Sequence, residues 1–189
     1  EDVVLPTIPY IDGGTSISRT ARVFPTYLIF KPAMFITAFF LIQYWRFNFD
    51  LMGKFSPNLN YKKIFLFFGI GSAIFLVLHS IFLGIKFDND FYKFFRRVVV
   101  LAFIIFEIIA QTILVINFYK IKEQIKKFIN GKILNIKIIL VSILVVVAFV
   151  SIPFLVAEGH TSFKHSLEWN YFMGVISFYL LTFFFWKKQ

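Results

Sequence analysis

The chain reads as long, uninterrupted apolar runs separated by short polar or basic stretches. Five of these runs approach the length a membrane crossing needs, about 20 mostly apolar residues: 23–45, 64–85, 98–119, 138–157 and 169–186. The first contains one charge, Lys31, the second none but His79, the third only Glu107, and the fourth none. The fifth is short and carries Trp169 and Trp186 at its ends, as a span anchored at both interfaces does. The runs are apolar on every face, unlike an amphipathic surface helix, and the ten-residue alternation of a membrane barrel is missing. The pattern predicts an all-α polytopic transmembrane bundle of five spans over residues 23–189, preceded by an outer, non-cytoplasmic tail, residues 1–22. Connections are short, so neighbouring helices should be antiparallel. Pro32 and Pro153 fall inside spans, where each removes a backbone donor and is expected to kink its helix. Gly69, Gly71 and Ser72 cluster in the second span and predict close approach of another helix.

Composition agrees with this pattern. The 189 residues are 59% hydrophobic and 16% charged, too few charges to cover a soluble domain or to keep a chain disordered. The chain has no Cys, which excludes a disulfide scaffold, thiol catalysis, Cys-ligated zinc and Cys-held iron–sulfur clusters. With 29 Phe beside many Ile, Lys and Asn, composition is biased enough that single Phe positions carry little functional information.

Charge orients the bundle. Flanks on the side of the amino-terminal tail hold seven Lys and Arg, among them Arg22, Arg96 and Arg97, whereas the opposite flanks hold twelve, running from Arg46 to Lys188 and including Lys137. The richer side is cytoplasmic or its equivalent by the positive-inside rule. Seven of the ten acids lie on the tail side, so the whole formal charge of +10 belongs to the inner side. A basic inner rim fits anionic lipid headgroups. Nucleic acid is excluded as a partner, because no binding fold or aromatic-basic platform lies outside the membrane. Within residues 120–137, Ile121, Ile125, Phe128 and Ile129 share a helical face flanked by Lys122, Lys126 and Lys127, which predicts a short amphipathic helix on the inner leaflet, stopped by Asn130 and Gly131.

Ionisable groups inside a membrane are costly and mark functional positions by default. Lys31 lies roughly 9 Å, His79 roughly 10 Å and Glu107 roughly 15 Å below the outer boundary, counting 1.5 Å per residue. Gln111 is one turn beyond Glu107 on the same face. These four residues can close a polar cluster, read either as a ligand or proton-handling site or as a lock between helices. Glu107 is expected to point inward, within hydrogen-bonding reach of His79, Lys31 or Gln111. A second group, Glu158, His160, His165 and Glu168, forms an outer rim with Arg22. Two His and two carboxylates can bind a divalent metal or serve as a base, but a His spacing of five is not a one-face helical pair, and no metal is assigned. No cofactor motif, phosphate loop, nucleophile elbow or zinc helix occurs, so the chain is expected to be non-catalytic in isolation.

The run LPTIPYIDGG at residues 5–14, then Arg22, then a span ending in Tyr44 and Trp45, resembles the first outer loop and second helix of the FRAG/DRAM/Sfk family of polytopic membrane proteins. His79, and the opening of the last span at Ser166, Leu167, Glu168 and Trp169, are similar to features of that family as well. The resemblance implies six spans with both ends cytoplasmic, so one further span is expected before Glu1. It carries over Pro9, Tyr10, Gly13, Arg22, His79, Glu168 and Trp169 as family positions. It also implies a protein of the secretory-pathway membrane that acts on or with lipids at the outer leaflet, as in glycolipid (GPI) anchor remodelling or its regulation. Two other readings stand beside it. One is a structural subunit of a larger energy-transducing complex in a bacterial or mitochondrial inner membrane. The other is a lipid acyltransferase using His79 or His165. A cavity between the first, second, third and fifth spans, open to lipid, would favour the lipid readings.

Overall fold

The computed structural model describes residues 6–55, 62–85, 89–156 and 159–187. Every regular element among them is helical: α1 (Pro9–Asp12), α2 (Ile17–Thr20), α3 (Thr26–Phe55), α4 (Lys62–Phe82), α5 (Asp90–Lys120), α6 (Lys122–Ile125), α7 (Gly131–Val156) and α8 (Thr161–Phe185). Four helices are long and apolar enough to cross a membrane: Thr26–Phe55, Lys62–Phe82, Phe94–Lys120 and Gly131–Phe154. On that ground the protein is a multi-pass membrane protein. With 25 residues, α8 is long enough, but Lys164, His165, Glu168 and Asn170 make its first half less apolar than the other four.

The helices outrun the apolar runs for identifiable reasons. α3 continues past Trp45 to Phe55 because Leu41, Trp45, Asn48 and Met52 recur every three or four residues, and that stripe is buried against the bundle. α5 starts at Asp90 because the Asn89 side chain caps it, accepting the Phe91 N–H at 3.0 Å. The Tyr92 hydroxyl then donates to the Phe82 carbonyl at 2.8 Å, tying the start of α5 to the end of α4.

Packing follows chain order, with α3 on α4, α4 on α5, α5 on α7 and α7 on α8. The small residues of α4 are each used. A Cβ on Gly69 would lie 2.3 Å from the Trp45 ring, and one on Gly71 would lie 2.5 Å from Phe106 of α5. Ser72 is fully buried and reaches α5 by a side-chain hydrogen bond. Close approach of this kind, with van der Waals contact and interhelical hydrogen bonds, holds helices together where lipid removes the hydrophobic difference. Pro32 and Pro153 lie inside α3 and α7.

The loop from α5 to α7 differs from the expected amphipathic helix. Its regular part is the single turn α6, and Asn130 and Gly131 open α7 instead of closing a helix. Asn130 caps that start, accepting the Lys132 N–H at 3.1 Å, since an Asn suited to ending one helix is equally suited to beginning the next. Ile121, Ile125 and Ile129 are buried as their spacing predicts, while Phe128 stays 40% exposed. The loop is pinned to the end of α8: Asn130 N–H donates to the Phe185 carbonyl at 2.8 Å, and Lys187 N–H to the Phe128 carbonyl at 2.9 Å.

At the other end of α8 the tail is docked. α1 and α2 lie over the first turns of α8, with the Gly13 carbonyl 3.0 Å from His165 Nδ1. The Tyr10 carbonyl accepts from Ser166 Oγ and Asn170 Nδ2, both at 2.9 Å. The Thr15 carbonyl accepts from Trp169 Nε1 at 2.9 Å. Gly13 has φ +63° and sits where any Cβ would fall 1.7 Å from the Ser162 carbonyl oxygen, so both its backbone and its space require glycine. One end of α8 therefore meets residues 10–15 and the other meets residues 128–130, across the full length of the bundle.

Candidate functional site

Glu107 sits on α5 with 0% exposure, and its carboxyl is held by three neutral donors from three helices. Ser72 Oγ of α4 lies 2.6 Å from Oε2. Gln111 Nε2, one turn along α5, donates to Oε1 at 3.0 Å, and the Tyr179 hydroxyl of α8 donates to the same oxygen. Ser72 Oγ is also 2.8 Å from the Gly69 carbonyl, so the carboxyl is tied through one hydroxyl to the backbone of α4. Tyr179 stacks edge-on against Tyr44 of α3, with ring centres 5.1 Å apart. The Tyr44 hydroxyl lies towards Thr182 and Asn48 without completing a hydrogen bond.

Glu107 thus points inward and meets Gln111, as its cost in a membrane requires. Neither Lys31 nor His79 is among its partners. Lys31 is half-buried on α3. Ser72 and Tyr179 went unanticipated, because they come from helices 35 and 72 residues away along the chain. The polar character of Ser72 beside Gly69 and Gly71 was the available signal, whereas Tyr179 had none.

His79 faces a cavity instead. A volume of about 780 Å³ lies between α3, α4, α5 and α8, within the range of small-ligand sites. Its walls are apolar, with Met34 and Leu41 from α3, Leu76 from α4, Phe103 from α5, and Phe172 and Val175 from α8. Phe40 and Leu180, 63% and 62% exposed, stand at its open edge between α3 and α8. Towards the end nearer α6 the two helices close through ring contacts of Tyr44 with Tyr179 and of Phe47 with Trp186. At the end nearer the tail stand His79 of α4, Glu168 of α8 and Ile17 of the docked tail. Tyr179 lines the cavity on one side and holds Glu107 on the other.

The outer-rim residues do not converge. His165 holds the tail through the Gly13 carbonyl. His160 is exposed at φ +50° with its ring edge-on to Phe154, 5.9 Å away. Glu168 lines the cavity, beside the Ser18 backbone of the docked tail. Arg22 directs Nε to the Ser18 carbonyl at 2.9 Å. Glu158 lies outside the described residues. No group of three or more His, Asp or Glu able to hold a metal occurs among the described residues. Around α6, Lys126 and Lys127 are exposed, while Lys122 is half-buried with Nζ 4.4 Å from the centre of the Tyr119 ring.

Lys137 corrects the inner-rim count. It is 1% exposed, inside the α7–α8 contact. Its Nζ donates to Thr182 Oγ1 at 2.6 Å and lies 4.1 Å from the Phe178 ring centre and 5.2 Å from that of Phe185. A lysine six residues into an apolar helix can turn inward when aromatic faces and a hydroxyl replace water.

No family model matches the chain, and no curated protein or solved structure matches it with significant similarity.

Proposed function

We propose that the protein acts on or with membrane lipids from the outer-leaflet side, holding a lipid tail in the cavity between α3, α4, α5 and α8. The cavity is the observation that carries this reading. It runs along the helices within the membrane zone, roughly 18 Å from Glu168 to Leu180 at 1.5 Å per residue. One leaflet of hydrocarbon is about 15 Å thick, half of a ~30 Å core, so an acyl chain of one leaflet matches its length. Its walls are mostly apolar, its edge at Phe40 and Leu180 faces where lipid lies, and the His and the Glu of its lining, His79 and Glu168, stand at the outer end, where a headgroup belongs, with Thr37, Gln43 and tyrosines elsewhere along it.

In this reading α8 is the fifth span. Its 25 residues, about 37 Å, and its attachment to the tail at one end and to residues 128–130 at the other support that role. The Lys and Arg count then makes the side of α6 cytoplasmic. The resemblance to the FRAG/DRAM/Sfk family points the same way, towards remodelling of glycolipid anchors or its regulation. Glu107 serves here as a lock behind the cavity wall, fixing Tyr179 and hence the spacing of α5 and α8.

Reconstitution with a phospholipid carrying a photoreactive group in its acyl chain tests the reading. Crosslinks should concentrate on Met34, Phe172 and Val175, and Val175→Trp, which fills the cavity, should reduce them at least fivefold. Equal labelling on all outward faces, unchanged by Val175→Trp, would refute it.

A further inference from the structure

We propose that the outer mouth of this cavity is a headgroup site selective for lipids with a primary amine, with Glu168 receiving the ammonium group. The inference rests on the lipid-tail reading of the cavity and adds the chemistry of the headgroup.

Two carboxyl side chains lie near the cavity, and they are not equivalent. Glu107 is behind the wall, with both oxygens engaged by Ser72, Gln111 and Tyr179. Glu168 lines the cavity itself and is half-buried. The Ser18 backbone of the docked tail lies beside it. One carboxylate offers about four acceptor sites, enough for an ammonium group as well as a neighbouring N–H. A half-buried carboxylate gains most from a partner that is both cationic and a hydrogen-bond donor. A primary ammonium is both, whereas a quaternary ammonium donates no hydrogen bond.

His79 of α4 lines the same end of the cavity, and its ring N–H can donate to a phosphate oxygen. An acid on α8 and a ring N–H donor on α4 at one end of the cavity match a zwitterion, with amine towards Glu168 and phosphate towards His79. An anionic headgroup without the amine would meet Glu168 as a like charge. Ile17 of α2 lines the same end, so the docked tail narrows the mouth.

The test is a competition among lipids of identical acyl chains in one vesicle population: phosphatidylethanolamine, phosphatidylcholine and phosphatidylglycerol in equal parts. The protein is extracted, and bound lipid is counted by native mass spectrometry, with the photoreactive acyl probe run in parallel. The ethanolamine lipid should be enriched at least fivefold over the other two. Glu168→Gln should remove the enrichment while acyl crosslinking at Phe172 persists. N-acetylation of the ethanolamine lipid should remove it on the wild-type protein, independently of whether the variant folds. Tail crosslinks without headgroup preference, enrichment of the choline or glycerol lipid, or indifference to N-acetylation would each overturn the headgroup site and leave the tail cavity standing. Loss of cavity crosslinks in the wild-type protein would instead overturn the tail cavity, and this proposal with it.

Discussion

Two carboxyl groups in this protein are each held by three hydrogen-bond donors, one inside the bundle and one in water. Glu107 takes its donors from Ser72, Gln111 and Tyr179, on three helices. Asp12, in the tail, accepts from the Thr7 hydroxyl, the Ile8 N–H at 2.8 Å and the Gly14 N–H at 2.9 Å, all within five residues of itself. The valence is the same, but the alternative to each set of bonds differs. Water replaces the tail donors at almost no cost, so the Asp12 bonds shape a turn and add little else. Nothing in the apolar interior replaces the donors of Glu107, so its bonds decide which faces of α4, α5 and α8 meet. Lys137 completes the contrast as a buried amine, settled by ring faces and one hydroxyl.

The comparison breaks most visibly at Glu107. Glu107→Leu leaves Gln111 and Tyr179 without their acceptor, while Ser72 keeps the Gly69 carbonyl at 2.8 Å, and an unsatisfied buried polar group costs about 1–3 kcal/mol, less where the unfolded chain in the membrane finds other partners. A net loss of about 2–4 kcal/mol is expected in a reversible unfolding assay in bicelles. Glu107→Gln keeps an acceptor for Tyr179 and should lose less than about 1 kcal/mol. If the two variants are equally stable, the three-donor lock does not set the packing.

Lys137→Met should change stability much less, by about 1 kcal/mol in either direction. Met keeps the contact with Phe178 and Phe185 and removes the desolvation of the ammonium, while Thr182 keeps the Phe178 carbonyl at 3.1 Å as a partner. A loss as large as that of Glu107→Leu would mean that Lys137 carries a load the contacts do not account for.

The same contrast explains what the chain discloses in advance. The long helices are legible because a membrane permits only uninterrupted apolar segments, so composition alone marks α3, α4, α5 and α7. The turn at Asp12, Gly13 and Gly14 is legible because its donors are neighbours in sequence. The inward direction of Glu107 is legible from the cost of the alternative. Its partners Ser72 and Tyr179 are not, because helix order in space, not spacing along the chain, brings them together. The burial of Lys137 was hidden for the same reason: the Phe faces that receive it belong to α8, and in a chain with 29 Phe no single ring stands out. The cavity was foreseen only as a condition, since a gap between helices leaves no mark on either sequence.

The smallest effect is at the tail, and pH reveals it. The Thr7 hydroxyl first, and then the Gly14 and Ile8 N–H groups, favour the charged form of Asp12 and hold its carboxyl below the ordinary value of 3.8. A carboxyl depressed in the folded state contributes stability above its unfolded value and loses that contribution as pH falls through the folded one. The tail turn should therefore be intact at neutral pH and loosen only below about 3.8, as Asp12 gains its proton. A carbon-13 titration of the Asp12 carboxyl should give a midpoint under 3.8. A spin-label distance between residue 10 and α8 should lengthen with the same midpoint, and Asp12→Asn should show the longer distance at every pH. The bundle itself should not respond, because the bonds of Asp12 are all local. A midpoint at or above the ordinary value, or a tail distance indifferent to it, would show that the docking onto Ser166, Trp169 and Asn170 holds the tail without the turn.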